Sequence, residues 1–386
     1  MNLPNPKISS YLTERIAAGD FPSAVYLVAE GGSIHFLDAL GDAVRVPEQI
    51  PATVDTIYDL ASLTKPLVTG LLSAQAIERG ELRLYDPVAR FLPAFAGTDR
   101  AEMNIGQLLT HTSGLTPWLP LYVLADGDPA RVMRAIIDSP LEYEPNTEVR
   151  YSDLGYITLG YILEQIAGTS LGELAQREIF IPLGLKDTGF RPVFTKRTRI
   201  AASETGNGFE REKAAGMGLG AAYLGWREDV IWGDVHDGNA HFMGGVAGHA
   251  GLFSTARETL ILAQQFIART TRLLRPMTCE LFAVNLTPGD NEARSIGWQL
   301  AETRDSTAGP WLPPFTFGHL GFTGTSCWID AEHERVYILL TNRTHDHPLP
   351  FVLINQVRRT FHTLAAQALG GVDPVDELDR VERADA

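Results

Sequence analysis

Apolar positions over residues 8–18 recur at helical spacing and predict an N-terminal helix. Two short apolar runs follow at 23–30 and 33–37, and the Gly31-Gly32 pair between them marks a hairpin turn, so they read as paired strands. A β-rich approach over 53–58 leads into renewed helical periodicity over 67–77. From about 103 to 273 helical patterns dominate. The amphipathic stretch 154–166 stops at Gly168, and Ser170-Leu-Gly-Glu173 is a capping box that opens the next helix. Residues 203–226 are Gly-rich without a phosphate-cradling pattern and read as a surface loop. Residues 233–254 read as a further loop carrying three histidines. Strand patterning returns at 324–330 and 335–342, followed by a long amphipathic helix over 349–368 that can cover a sheet. The expected fold is α+β, with an antiparallel sheet built from both termini, flanked by helices, and a mostly helical insertion. The expected division is 1–82 with 315–386 for the sheet part and 83–314 for the helical part, with 371–386 a frayed acidic tail. A pocket is expected where the two parts meet.

Composition narrows the partners. Across 386 residues, 45% are apolar and 20% charged, enough for a sizeable core. The formal net charge of −15, from 32 basic and 47 acidic residues, disfavours nucleic acid and anionic membranes. No apolar run is long enough to span a bilayer. The first residues lack a basic segment followed by an apolar one, which gives the expectation of a cytoplasmic protein. Cys279 and Cys327 form no CxxC and read as packed thiols. A small-molecule substrate is the remaining expectation; oligomeric state is left open.

The candidate chemistry centres on Ser62-Leu-Thr-Lys65, at the junction of the β-rich approach and the following helix. Ser62 reads as the N-cap of that helix, with Pro66 tolerated in its first turn. Residues three apart on a helix share a face. A serine can lose its proton to such a lysine if desolvation and the helix N-terminus lower the amine's pKa. Tyr151-Ser-Asp153 follows a Pro-Asn turn, and a tyrosine beside a lysine can relay protons. His319-Leu-Gly321 precedes a C-terminal strand, where a basic residue can face the serine and a glycine can let substrate approach the backbone. The run Leu-Leu-Thr-His-Thr-Ser-Gly-Leu at 108–115 reads as fold-shaping.

Taken in chain order, with the 108–115 run between Ser62-Leu-Thr-Lys65 and Tyr151-Ser-Asp153, these four motifs closely resemble, over roughly residues 10 to 368, the serine hydrolases related to class C β-lactamases. That group also holds D-alanyl-D-alanine carboxypeptidases, D-aminopeptidases, carboxylesterases and cell-wall amidases. Ile-Pro-Leu-Gly-Leu at 181–185 and Ile-Leu-Leu-Thr-Asn at 338–342 agree. The resemblance implies a β-lactamase/transpeptidase-like fold with no cofactor and no metal. It makes Ser62 the nucleophile, Lys65 its activating partner, Tyr151 the general base and acid, and His319 the third-motif residue. The oxyanion hole would be the N–H groups of Ser62 and Phe322. Asp153, Gly321 and His249 are expected to contact substrate. Two positions depart from the family pattern: Asp153 stands where an asparagine is usual, and His319 where lysine is frequent. An ionised carboxylate accepts but cannot donate, and a histidine near pKa 6.5 is largely neutral. Both changes weaken the case for an efficient β-lactamase.

Three other features need weighing. Gly168-Thr-Ser170-Leu-Gly172 matches a nucleophile elbow, but a helix precedes Ser170 where that motif needs a strand, so Ser170 reads as an N-cap. His236, His241 and His249, with His345 and His347, match no zinc-ligand spacing. Trp118, Trp226, Trp232 and Trp298 read as core or interface residues. The expected activity is acyl transfer to Ser62 and then to water, on an amide or ester of a small substrate, leaning to amidase or peptidase action on peptidoglycan-like or D-amino-acid compounds. A carboxylesterase with weak or no β-lactamase activity is the alternative. A non-catalytic penicillin-binding sensor is the rival from another class.

Overall fold

The computed structural model describes residues 3–370; the acidic tail read above lies outside them. Its strands are β1 (Ser23–Glu30), β2 (Ser33–Val44), β3 (Ile50–Pro51), β4 (Tyr58–Asp59), β5 (Gly189–Phe190), β6 (Leu252–Ser254), β7 (Gln299–Leu300), β8 (Phe317–Leu320), β9 (Ser326–Asp330) and β10 (Arg335–Thr341). Seven of them form one antiparallel sheet in the order β3-β2-β1-β10-β9-β8-β7. Its middle is the β1–β10 pair, running from Ala24 opposite Thr341 to Glu30 opposite Arg335, so the two ends of the chain meet there. Gly31 and Gly32 both hold positive φ in the β1–β2 turn, the two-residue geometry whose twist matches a hairpin.

Alternation along the central strands decides which core each residue joins. Val25, Leu27, Val336, Ile338 and Leu340 enter the large core on one face, while Tyr26, Val28, Tyr337 and Leu339 enter a second core on the other. The helices Pro6–Ala17 and Asn355–Ala368 cover the second face through Ile8, Leu12, Val357 and Phe361. The large core holds Leu67, Leu71, Leu108, Leu159 and Leu262 from the helical segments. A smaller sheet, β4-β6-β5, carries the chain from the main sheet into the helical part.

Several local expectations are corrected. The edge strand β7 pairs with β8, so the sheet draws on chain before the expected boundary at 315. The C-terminal helix starts at Asn355, after Pro348 and Pro350, because the residue before a proline is pushed out of helical geometry. Within the Gly-rich 203–226 stretch, Gly208–Gly216 is a helix. Residues 233–254 contain the short helix Gly238–Phe242 as well as β6. Ser62 is not a helix N-cap: Ala61–Leu63 is a 3₁₀ turn with no side-chain cap, and Lys65–Gly70 continues as a wide π-type turn before the α-helix Leu71–Glu78. Such widened turns recur at functional sites. Among the described residues, no helix is long and apolar enough to cross a membrane.

Candidate active site

Ser62 sits on a constrained turn. Ala61 before it holds φ +48°, a left-handed conformation that costs a residue with a Cβ about 1–3 kcal/mol. Neighbours hold it there: Asp59 Oδ1 accepts from Ala61 N at 2.8 Å, and Thr64 Oγ1 donates to Ala61 O at 2.6 Å. Leu60 O accepts from Thr325 Oγ1 at 3.0 Å, tying the turn to the β8–β9 connection.

Lys65 is fully buried beneath the serine. Its ammonium donates to Ser62 Oγ at 3.0 Å and His249 O at 3.1 Å, and forms an ion pair with Asp153 Oδ1 at 2.6 Å. Burial pulls its pKa down, but the charge of Asp153 and then Tyr151 push it back, leaving it above the ordinary lysine value. This corrects the expectation of a lowered lysine pKa, and the physical reason is the carboxylate at position 153. The ring of Tyr151 lies 4.8 Å from Lys65 Nζ. Its hydroxyl is buried without a well-formed hydrogen bond among the described residues, and burial raises its pKa against the opposing charge of Lys65. Lys65 as an ammonium and Tyr151 as a phenol make up the resting state.

Asp153 opens the helix Asp153–Ala167, capped by Ser152, whose Oγ accepts from Gly155 N. His111 comes from the 108–115 run and packs against Tyr151 with ring centroids 4.5 Å apart. Its Nδ1 accepts from Ser152 N at 3.0 Å, and its carbonyl accepts from Arg150 N and Tyr143 Oη. The run therefore shapes the fold at the place where it supports the tyrosine. Burial, with Arg294 and Lys65 nearby, holds the His111 pKa well below the ordinary value.

His319 is the penultimate residue of β8, with its side chain on the cleft, 5% exposed and 5.7 Å from the Tyr151 ring. Its Nδ1 donates to Leu320 O at 2.8 Å. Gly321 follows in a close approach: a Cβ there would lie 2.5 Å from Leu60 O, so the glycine lets the β8–β9 turn dock on the Ser62 turn as well as line the cleft. Arg358, on the C-terminal helix, donates to Gly321 O at 2.6 Å and Thr325 O at 3.0 Å. Arg343 donates to Phe322 O at 2.6 Å and Val352 O at 2.8 Å. The peptide unit bearing the Phe322 N–H is thus held at its carbonyl end by a guanidinium.

These groups border a cleft of about 430 Å³ lined by Ser62, Tyr151, His319 and Phe322, with Glu210 and Asp237 on another wall. Glu210 accepts from Gly238 N and Tyr122 Oη, both at 2.8 Å, and burial beside Asp237 raises its pKa to about 7. Asp237 caps the helix Gly238–Phe242 and accepts from His249 Nε2 at 2.9 Å. His249 was expected to touch substrate. Its ring is instead buried on Asp237, and its contact with the site is the carbonyl that receives Lys65. His236 and His241 pair with Glu204 and Asp234, so each histidine of this segment meets a separate carboxylate. Among the described residues, no three side chains converge as a metal site. Ser170 forms its capping box with Glu173 on the surface. Trp118 lines the cleft beneath Lys213, while Trp298 packs in the core against Phe266 and Phe317.

Sequence reasoning missed Glu210, Arg294 and Arg358 on the cleft. Glu-Arg-Glu-Lys-Ala-Ala at 210–215 is a run of helix formers that could have been separated from the glycines around it. The two arginines lie in unremarkable stretches and gave no signal.

The model of the family described as Beta-lactamase matches residues 8–359. A protein of Escherichia coli (strain K12) named "Putative D-alanyl-D-alanine carboxypeptidase" is 30% identical over 367 residues, covering 88% of this chain and 82% of that protein. Among solved structures, EstCE1, a hydrolase with promiscuous acyltransferase activity, superposes with a TM-score of 0.70 at 23% identity, covering 92% of this chain and 97% of that one. A class C β-lactamase from Rhodobacter sphaeroides gives 0.68 at 21% identity, covering 93% and 99%. At these identities the two structures share the fold.

Proposed function

Because the chain belongs to the Beta-lactamase family, we propose that it is a serine hydrolase acting through an acyl-Ser62 intermediate on the amide bond of a small peptidoglycan-like or D-amino-acid compound. The observation that carries this reading is the buried Lys65 ammonium, shared at 3.0 Å with Ser62 Oγ and at 2.6 Å with Asp153 beneath the Tyr151 ring. Ser62 Oγ attacks the substrate carbonyl carbon. Its proton passes to the Lys65–Tyr151 pair once that pair has shed one of its own. Charge developing on the carbonyl oxygen meets the N–H groups of Ser62 and Phe322. Tyr151 then gives a proton to the leaving nitrogen as the C–N bond breaks. Water attacks the acyl ester, releases the acid and returns a proton to Ser62. The name of the Escherichia coli relative supports a D-amino-acid substrate, and Asp153, an acceptor, supports a substrate that presents N–H there.

A carboxylesterase is the second reading, since the fold is shared with EstCE1, a hydrolase with promiscuous acyltransferase activity, and acyl transfer to Ser62 serves an ester as well as an amide. Both readings predict a burst of p-nitrophenol from a short-chain p-nitrophenyl ester and an acyl adduct on Ser62 by intact mass. Ser62→Ala should lose both. A wild-type protein that gives neither burst nor adduct, with this ester and with D-alanyl-D-alanine peptides, would favour a non-catalytic binding protein.

A further inference from the structure

His319 presents an acceptor to the cleft. A carbonyl can only accept, so the 2.8 Å contact with Leu320 O puts the ring proton on Nδ1. In the neutral ring Nε2 is then a bare lone pair. That atom is buried and has no hydrogen-bond partner among the described residues, on a side chain that lines the same cleft as Ser62. Burial, with the positive charges of Arg294 and Lys65 nearby, keeps the ring from taking a second proton. A buried acceptor left unmet is unfavourable, so a bound ligand that supplies N–H or O–H is preferred there.

Tyr151 narrows the choice of donor. Its hydroxyl is another buried polar atom on the cleft lining without a well-formed hydrogen bond among the described residues, and the two rings are 5.7 Å apart. As a phenol it donates. A group lying between Tyr151 and His319 therefore has to take a proton from one and offer hydrogen to the other. The nitrogen of a scissile amide does both as it leaves. It keeps the hydrogen it already carries and gains one from Tyr151, so the C–N bond breaks to release an amine while the acyl group passes to Ser62. An ester oxygen carries no hydrogen, and neither does the nitrogen of an N-alkylated amide or a β-lactam ring.

We propose that His319 Nε2 accepts the N–H of the scissile amide, and that this selects substrates whose leaving nitrogen bears hydrogen over esters, N-alkyl amides and β-lactams. This rests on the serine-hydrolase reading above.

The test uses the full-length protein and three substrates with one acyl group: a p-nitroanilide, its N-methyl analogue and the p-nitrophenyl ester. In wild type and in His319→Leu, kcat/KM is measured for each, with acylation of Ser62 followed by mass. The ratio of anilide to N-methyl anilide should fall roughly tenfold or more in His319→Leu, and the anilide-to-ester ratio should fall with it. His319→Gln, which can present a carbonyl acceptor, should recover part of the preference and guards against a packing defect in the leucine variant. Equal ratios in wild type and both variants, with Ser62 still acylated, overturn the role of His319 and leave the hydrolase reading intact. Failure of every substrate to acylate wild-type Ser62 removes the hydrolase reading and this inference with it.

Discussion

At the scale of single residues, Asp153 governs the protonation of the site. Burial is the largest single influence on Lys65 and pulls its pKa down, but the carboxylate 2.6 Å from Nζ, together with Tyr151, more than offsets it, so the lysine stays an ammonium, and burial keeps Tyr151 a phenol. Both hold their protons at neutral pH, and acylation needs one to leave. Acylation measured as kcat/KM should therefore climb from neutral pH and still be rising at about pH 10, because both groups lie above their ordinary values. Asp153→Asn removes the charge that raises the lysine, so the rising limb should move to lower pH by about one unit or more. A pH–rate profile whose limb stays in place in the variant would show that another group controls activation. This feature was half legible in the sequence. Asp153 was visible as an acceptor in an asparagine's place, but its grip on Lys65 depends on a distance between two helices that spacing along the chain does not carry.

The C-terminal helix Asn355–Ala368 shows how one element serves two ends. Phe361 is fully buried against the outer face of the sheet, with its ring 6.0 Å from that of Tyr26. Phe361→Ala should cost about 3–5 kcal/mol of stability, read by denaturant unfolding. Three residues earlier, Arg358 reaches past the sheet edge to the carbonyl of Gly321. A guanidinium on one end of that peptide unit orients and polarises the N–H at its other end. Arg358→Met should lower kcat by roughly 10- to 100-fold with a smaller change in KM, because the loss falls where charge develops on the oxyanion. An unchanged kcat, or a loss confined to KM, would contradict that role. The helix itself was readable from its apolar period. Its inward arginine was not, because a 3.6-residue pattern assigns charged positions to solvent and does not reveal that the last turn of a distant loop needs a donor.

For the whole molecule, buried titratable groups set the response to acid. His111, His319, His345 and His362 all have pKa values below the ordinary 6.5, chiefly through burial, with His362 near 3. The unfolded chain protonates them first, so the stability they contribute is present above about pH 6.5 and is withdrawn below it, by up to about 1.4 kcal/mol per pH unit for each group. The raised carboxyls of Glu210, Asp59 and Glu164 act in the opposite direction. His362 isolates the histidine contribution, because it links the covering helix to Thr307 O and Ser326 Oγ. The advantage in Tm of wild type over His362→Gln should shrink between pH 7 and about pH 5, and a constant gap would refute the assignment. At this scale the architecture was the most legible part of the sequence, since strands at both ends and helices between allow few arrangements. The two-residue strand β7 escaped notice because so short a segment has no period to read. The pairing of Ala24 with Thr341 also has a consequence in time. At about 5–20 residues per second, a ribosome takes on the order of 15–60 s to reach the second strand after making the first. Throughout that interval the first hairpin carries an open, apolar edge, the kind of surface that recruits chaperones or pairs with a neighbouring nascent chain. Yield on overexpression should therefore depend on chaperone supply more than on the stability of the finished protein.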